Sequence, residues 1–212
     1  MNKALLLVDI QNDFCPGGAL AVADGDQIID VANKLMLQFD LVVATKDWHP
    51  ASHVSFASRF PDKKLFETIQ IQGQPQTLWP DHCIQNTIGA EFKNGLNTDQ
   101  ITHTTYKGTN REIDSYSGFF DNAKANTTDL HEYLQSQNVI NLYVMGLATD
   151  YCVKFTVIDA CELGYNVYVI EDGSRGVNQS PDDCAKAFQQ MKHAGAKIIH
   201  SNDLQSNRNE NE

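Results

Sequence analysis

The sequence predicts one α/β domain built on an open, mostly parallel six-stranded sheet with helices on both faces. Short apolar runs recur along its 212 residues and are typical of strands buried on both faces of a sheet. Between the later runs lie segments with helical spacing of apolar residues and clear start and stop signals. Because strand, helix and strand alternate in this order, the chain favours parallel strands joined by helical crossovers.

The strands are predicted from the apolar runs. Residues 3–9 form a continuous run that ends in an acid, Asp9, and residues 41–45 form the next run. The later predicted strands are residues 101–105, 141–145, 166–170 and 197–200. Six strands in one chain of this length suit a single sheet.

Four helices are predicted between these strands. The inner faces of the first two carry Ile28, Val31, Ala32, Leu35 and Met36, and then Leu130 and Leu134. The third helix begins near Asp150 and ends at Gly164, because glycine commonly follows the last helical turn. The fourth begins at residues 180–183, where a serine cap, a proline and two acids suit a helix start, and ends at Gly195.

Residues 1–200 are therefore expected to form a single domain, interrupted by a long excursion at about 46–99. Loops this long in compact domains are usually functional or disordered, and the aromatic, histidine and proline content argues against disorder. The polar tail, residues 201–212, is expected to fray.

Composition excludes several classes of protein. The 16 Lys and Arg against 27 Asp and Glu give a net charge of -11, which repels nucleic acid. No apolar stretch approaches the roughly 20 residues that span a bilayer. The N-terminal apolar run stops at Asp9, too short for a signal peptide, so we expect a cytoplasmic protein without membrane partners. The five cysteines contain no C-x-x-C pair and are expected to be free thiols.

Reactive side chains follow the ends of four predicted strands. Asp9 closes the first strand, Asp47 and His49 follow the second, Lys107 follows the third, and Cys152 lies just beyond the fourth. In an open parallel sheet, ligands bind in the crevice beyond the carboxyl ends of the strands. The sequence therefore predicts one site that combines an acid, metal-type ligands, a lysine and a thiol.

Cys152 is the candidate nucleophile. Free cysteines are often simply buried, but the first turn of a helix stabilises a thiolate and lowers its pKa. The preceding turn, residues 146–149, offers backbone N–H groups that can face a developing oxyanion. Asp9 is either a strand-end cap or the base that takes the thiol proton. Lys107 is either a solvated lysine or the cation that stabilises both anions.

A metal site is predicted from Asp47, His49 and His82. Two residues apart on an extended segment, Asp47 and His49 project to the same side, and His82 arrives on a proline-stiffened turn. A carboxylate with imidazoles suits one divalent ion, zinc, iron or manganese, of which we favour zinc. His53 is either a further ligand or a hydrogen-bonding neighbour of a ligand, and it stays outside the predicted set.

Two large aromatic residues lie near these groups in the sequence. Phe14 follows Asp9 by five residues, and Trp79 precedes His82 by three. Most aromatic side chains are core residues, but a planar ring substrate would stack between two such faces.

Six motifs together resemble the nicotinamidases within the isochorismatase-like hydrolases. They are DIQNDFC (9–15), KDWHP (46–50), WPDHC (79–83), YKG (106–108), DSYSGFF (114–120) and GLATDYCV (146–153). The likeness runs from about residue 4 to 200 with the motifs in family order. It implies a catalytic triad of Asp9, Lys107 and Cys152. It also implies a cis peptide before Ala148, with an oxyanion hole formed by the N–H groups of Ala148 and Cys152.

The resemblance also implies a substrate and a cofactor. Asp47, His49 and His82 match the metal ligands, and the ion is expected to hold a pyridine nitrogen directly or through water. Phe14 and Trp79 match the aromatic residues that flank the ring. The implied reaction is hydrolysis of nicotinamide to nicotinic acid and ammonia through a cysteine thioester, in NAD salvage.

Alternatives stay open at this point. Another amidohydrolase of the same superfamily would act on a different small amide, although carbamoyl-type members generally lack the metal cluster. A nucleotide-binding domain would need a phosphate cradle, and no G-x-G-x-x-G follows the first strand. An inactive metal-binding protein requires an inert thiol. The turnover of pyrazinamide and the formation of a homo-oligomer are both compatible with the sequence.

Overall fold

The computed structural model describes residues 2–71 and 73–206. Its strands, in chain order, are β1 (Lys3–Val8), β2 (Val42–Asp47), β3 (Thr68–Ile71), β4 (Gln74–Thr77), β5 (His103–Lys107), β6 (Asn141–Leu147), β7 (Asn166–Arg175) and β8 (Lys197–Ile199). Six of them form one sheet in the order β5-β2-β1-β6-β7-β8, and every neighbouring pair is parallel. The predicted open parallel sheet is confirmed.

The first strand lies in the middle of this sheet. Leu5 pairs with Val42 of β2 on one side and with Tyr143 of β6 on the other. Residues 4–8 are completely buried, which explains why this strand is apolar without alternation. Because β1 is central, a side chain placed at its carboxyl end reaches the groups at the ends of both neighbouring strands.

Helices cover both faces of the sheet, as predicted. They are α1 (Ile28–Met36), α2 (Leu130–Ser136), α3 (Lys154–Glu162), α4 (Asp183–His193) and the short α5 (Asp203–Ser206). Leu5 and Leu7 of β1 join a core cluster with α1, whereas Leu6 joins a second cluster with α2, α3 and α4. Successive side chains of the central strand thus point to opposite faces of the sheet and pack against the helices there.

Four strands, β2, β5, β6 and β7, run further than the sequence predicted. β2 and β5 continue together, with Lys46 paired to Tyr106 and Asp47 paired to Lys107. The predicted ends at residues 45 and 105 were wrong because Lys46, Asp47 and Lys107 are buried although they are charged, and they stay in the ladder. Asp47 and Lys107 are therefore held by strand geometry and not by loops.

The long excursion contains an antiparallel hairpin that the sequence analysis did not predict. β3 and β4 pair from Thr68 with Thr77 to Ile71 with Gln74. The hairpin is short and largely exposed; β3 does alternate polar and apolar residues, but β4 contains no apolar residue except Pro75.

The C-terminal tail begins with a short helical turn. Residues 203–206 form the helical turn α5, and Leu204 packs against the core. Leu204 is the one apolar residue of this polar tail, and its packing links the turn to the core. The rest of the predicted frayed tail, residues 207–212, lies outside the described residues.

Among the described helices, none combines the length and apolarity needed to cross a membrane.

Candidate active site

The predicted acid, lysine and thiol meet at the carboxyl end of the sheet. Lys107 Nζ lies 2.9 Å from Asp9 Oδ2 and 3.5 Å from Cys152 Sγ. Asp9 follows β1 directly, and its Oδ1 accepts a 2.7 Å hydrogen bond from Thr45 of β2. Asp9 is also close enough to Cys152 to raise the pKa of its thiol. Three separate strand ends therefore supply a possible base, a cation and a nucleophile to one point.

The thiol does not have the lowered pKa that its helix position suggested. Burial raises the pKa of Cys152 well above its ordinary value, and the nearby Lys107 offsets only part of that shift. Burial likewise raises the pKa of Asp9, again against the influence of Lys107. Desolvation outweighs the helix terminus here because the whole side chain is enclosed. The resting site therefore holds a protonated thiol beside a carboxyl group.

Lys107 stays charged despite complete burial. Burial alone would lower its pKa, but the charges of Asp47 and Asp9 raise it well above the ordinary value. Its Nζ also lies 2.9 Å from Asp47 Oδ1 and donates a 3.0 Å hydrogen bond to the backbone oxygen of Ser115. The alternative of a plain solvated lysine is excluded by this enclosure.

The three predicted metal ligands form one buried group. His49 Nε2 lies 3.0 Å and His82 Nε2 3.3 Å from the same Asp47 oxygen, Oδ2. The opposite ring nitrogens are anchored on the backbone, His49 Nδ1 at 2.9 Å from Gly108 O and His82 Nδ1 at 2.7 Å from Pro80 O. Such anchoring fixes the tautomer and orients Nε2 for an ion. The donor set, two imidazoles and a carboxylate, fits a divalent transition metal.

His53 lies beside the predicted metal ligands, and with His49 and Asp114 it forms a second buried group whose atoms could hold an ion. Its ring stacks on His49 with 4.0 Å between centroids, and its Nδ1 is 2.7 Å from Ser55 Oγ. Its Nε2 is 3.2 Å from the backbone oxygen of Ile113. Burial lowers the pKa of His53 to about 4, so the ring is neutral and supports His49 by packing.

The predicted aromatic residues line the same pocket as the thiol. Phe14, Trp79, Ala148 and Cys152 all border it, together with two of the predicted metal ligands, Asp47 and His82. The ring of Phe14 stands edge-on to His82, with 5.5 Å between centroids. The free volume is only about 20 Å³, close to the space of one water molecule.

The turn before the thiol has the predicted form. The peptide between Leu147 and Ala148 is cis, and residues Thr149–Val153 form one π-helical turn ahead of α3. The Ala148 oxygen accepts hydrogen bonds of 3.1 Å from the N–H groups of Tyr151 and Val153. Such π-helical turns occur frequently at functional sites. Ala148 and Cys152 thus border the pocket on opposite sides of a tight backbone turn.

Tyrosine side chains complete the pocket, and the sequence analysis missed them. Tyr116 and Tyr151 both border it, and the Tyr116 hydroxyl accepts a 3.1 Å hydrogen bond from Trp79 Nε1. The unpredicted hairpin contributes Gln76, which donates a 3.0 Å hydrogen bond to Asp114 at the pocket wall. Tyr116 stands in the DSYSGFF motif, which was the one available signal, whereas the hairpin carried none.

Comparison with known proteins agrees with this geometry. The isochorismatase domain family matches residues 3–203. A nicotinamidase of Escherichia coli is 52% identical over 200 residues, which cover 92% of this chain and 93% of the relative. A nicotinamidase and pyrazinamidase structure from Acinetobacter baumanii superposes with a TM-score of 0.93 at 44% identity, covering 96% of this chain and 98% of that one.

Two further solved structures carry bound groups. The yeast nicotinamidase, solved with the inhibitor nicotinaldehyde, has a TM-score of 0.88 at 32% identity and covers 93% of this chain and 99% of its own. The pyrazinamidase of Pyrococcus horikoshii, solved with zinc, has a TM-score of 0.77 at 39% identity, covering 94% of this chain and 99% of its own. With nearly full coverage in every comparison, the chain belongs to the isochorismatase-domain hydrolases and, within them, to the nicotinamidase family.

Proposed function

We propose that this chain hydrolyses nicotinamide to nicotinic acid and ammonia through a cysteine thioester. One observation carries the proposal: a buried thiol, carboxyl group and ammonium meet beside an aromatic pocket, with Lys107 Nζ 2.9 Å from Asp9 and 3.5 Å from Cys152. An aromatic amide suits this pocket because Phe14 and Trp79 offer ring faces and edges. The yeast relative holds nicotinaldehyde, a close analogue of that amide, which supports the same choice.

The chemistry follows from the side chains that touch one another. Asp9 takes the thiol proton, and the Cys152 sulfur then attacks the carboxamide carbon. Asp9 returns that proton to the amine as the carbon–nitrogen bond breaks, so that ammonia leaves and a thioester remains. Asp9 next takes a proton from water, which attacks the thioester and releases nicotinic acid. The proton passes back to sulfur, and the site is restored.

Two groups stabilise the charge that develops during these steps. Lys107 lies against both the sulfur and Asp9, so its ammonium lowers the energy of whichever is anionic. The N–H groups of Ala148 and Cys152 would receive the oxyanion of the tetrahedral intermediate. Losing one such donor typically slows a reaction by roughly 10²–10³.

Asp47, His49 and His82 would hold one divalent ion, and zinc is the ion that we favour. Two anchored imidazoles facing one carboxylate oxygen support this assignment, as does the zinc in the Pyrococcus horikoshii pyrazinamidase. When bound, the ion supplies a Lewis acid for the ring nitrogen of the substrate. Phe14 and Trp79 would orient the ring so that its carboxamide lies over Cys152.

We place this reaction in NAD salvage and expect pyrazinamide, another aromatic carboxamide, to be a second substrate. Two of the compared structures are described as pyrazinamidases, which supports this range. The cytoplasmic location inferred from the sequence stays a prediction.

The experiment that tests the thiol mechanism is the substitution Cys152→Ala. We expect no ammonia release from nicotinamide above background, because no other group in the site can form the thioester. Circular dichroism should report an unchanged fold, since alanine fits the space of cysteine. Cys161→Ala is the matched control because Cys161 lies on α3 and away from the pocket. It should keep wild-type activity.

Ammonia release by Cys152→Ala at the wild-type rate would end the proposed mechanism. A panel of small amides tests the substrate: nicotinamide and pyrazinamide should be cleaved much faster than aliphatic carbamoyl compounds. A preference for the aliphatic compounds would indicate a different amidohydrolase.

A further inference from the structure

Gln11 is a buried amide just beyond the central strand, and none of the proposed steps uses it. β1 ends at Val8, and Gln11 follows three residues later with no exposed surface. Fully buried glutamine is uncommon, because both of its polar atoms must find partners away from water. The hydrogen-bond partners of Gln11 indicate what this side chain does.

All of the hydrogen bonds of this side chain go to backbone groups. Gln11 Oε1 accepts a 2.8 Å hydrogen bond from the N–H of Asp47. Gln11 Nε2 donates one hydrogen bond of 2.8 Å to the Asp47 oxygen and another of 2.8 Å to the Ala90 oxygen. The amide thus bonds both backbone polar groups of Asp47 and ties this residue to the loop that contains Ala90.

These hydrogen bonds are needed because β1 ends before its neighbour β2 does. β2 continues to Asp47, but its neighbour β1 ends at Val8, which pairs with Thr45. Beyond that point no strand remains to bond the backbone N–H and oxygen of Asp47 on the β1 side. Gln11 supplies an acceptor and a donor at these two positions, as a strand would.

The position of the Asp47 backbone matters because its carboxylate serves three partners. Oδ1 lies 2.9 Å from Lys107 Nζ, while Oδ2 lies 3.0 Å from His49 and 3.3 Å from His82. The carboxylate has little room to adjust, since the side chain is buried. A small shift of the peptide would therefore separate the ligand atoms.

We infer that Gln11 is a positioning residue that fixes Asp47 for the divalent ion. The inference rests on the proposed metal site and extends it to a residue that contacts no ligand atom. Groups that orient metal ligands typically change metal affinity about 10- to 100-fold when they are removed. A merely structural glutamine would lower stability and leave metal affinity unchanged.

The test is a calorimetric titration of metal-free protein with zinc. Gln11→Met keeps the length of the side chain and removes all three hydrogen bonds, and we expect zinc to bind about 10- to 100-fold more weakly than to wild type. Asn33→Leu is the matched control. On α1, Asn33 bridges the Gly95 oxygen and the Asn97 N–H, each at 2.8 Å, in the same two-sided manner. It should lower the melting temperature and keep the wild-type affinity for zinc.

Gln11→Glu gives a second test that does not depend on how Gln11→Met folds. The carboxylate keeps the acceptor for the Asp47 N–H but turns an oxygen toward two backbone oxygens. The added negative charge by itself would strengthen zinc binding. Weaker zinc binding by this variant would therefore show that Asp47 is no longer held in position. Wild-type or tighter binding by folded Gln11 variants overturns the inference and leaves the metal site intact. An absence of zinc binding by wild type would instead overturn the metal site, and the inference with it.

Discussion

Lys107 places a positive charge between two buried carboxyl groups. Its ammonium lies 2.9 Å from both Asp9 and Asp47, and all three side chains are almost completely buried. Charges taken out of water are stable only when they are paired, and removing one partner of such a group costs about 3–5 kcal/mol. The lysine is therefore as important for the stability of the site as for its chemistry.

We predict that Lys107→Met abolishes activity and lowers the free energy of unfolding by about 3–5 kcal/mol, because two carboxyl groups are left without a cation. Urea denaturation followed by fluorescence measures the stability. Lys154→Met is the control: Lys154 is half-buried over Phe155 and has no ion pair within the described residues. Its loss should cost much less, and equal costs for both variants would contradict the electrostatic explanation.

The residues that the sequence could identify are those with a chemical signature. Asp9, Lys107 and Cys152 stand at strand ends in a pattern that chance placement does not readily produce. Gln11 gave no such signal, because an amide that binds a backbone 36 positions away resembles any surface glutamine in the sequence. The pKa of Cys152 was also predicted in the wrong direction, since burial by distant segments is invisible in a local helix signal.

At the scale of elements, the turn after β5 must pass close to a metal ligand. Gly108 has φ of +65°, and a Cβ there would lie 2.4 Å from His49 Cε1. Its oxygen also anchors His49 Nδ1. Only glycine combines this conformation with such a close approach.

We predict that Gly108→Ala displaces His49, weakens zinc binding at least 10-fold and lowers kcat/KM for nicotinamide. Zinc titration and an ammonia assay measure the two effects. Gly195→Ala is the control, because Gly195 has a similar φ of +108° but nothing within 4 Å of its would-be Cβ. It should cost about 1 kcal/mol of stability from backbone strain alone and leave zinc binding unchanged. Equal loss of zinc binding in both variants would rule out the steric explanation.

The elements predicted well are those whose burial pattern is regular. Five of the six sheet strands contain clear apolar runs and β5 does not, whereas the β3–β4 hairpin was missed because it is short and mostly exposed. The ends of β2 and β5 were placed too early for a related reason. Their last residues, Asp47 and Lys107, are charged. The cost of burying them is offset only in the folded site, where the two charges pair.

At the scale of the whole molecule, the site depends on four adjacent strands. The four strands β5, β2, β1 and β6 lie side by side in the sheet. Their carboxyl ends lead, in the same order, to Lys107, Asp47, Asp9 and the turn before Cys152. An ion bound by Asp47, His49 and His82 would therefore link β2 to the excursion that follows it. Any ligand that binds only the folded state stabilises that state.

We predict that metal removal lowers both activity and the melting temperature. At zinc concentrations about 100-fold above Kd, binding contributes about 2.7 kcal/mol, which corresponds to roughly 5–10 °C for a chain of this size. Scanning calorimetry after chelation, and again after addition of zinc, iron or manganese, measures the change. Unchanged melting and full activity in the chelated protein would contradict a metal role.

The surroundings of Lys107 have one more consequence. Its ammonium has three hydrogens, yet four acceptors lie within 3.5 Å: Asp9, Asp47, the Ser115 oxygen and the Cys152 sulfur. At any moment one of the four acceptors therefore lacks a hydrogen bond from Lys107. Rotation about the Cε–Nζ bond changes which acceptor that is. When negative charge passes from oxygen to sulfur and back, the cation follows it without any displacement of the chain.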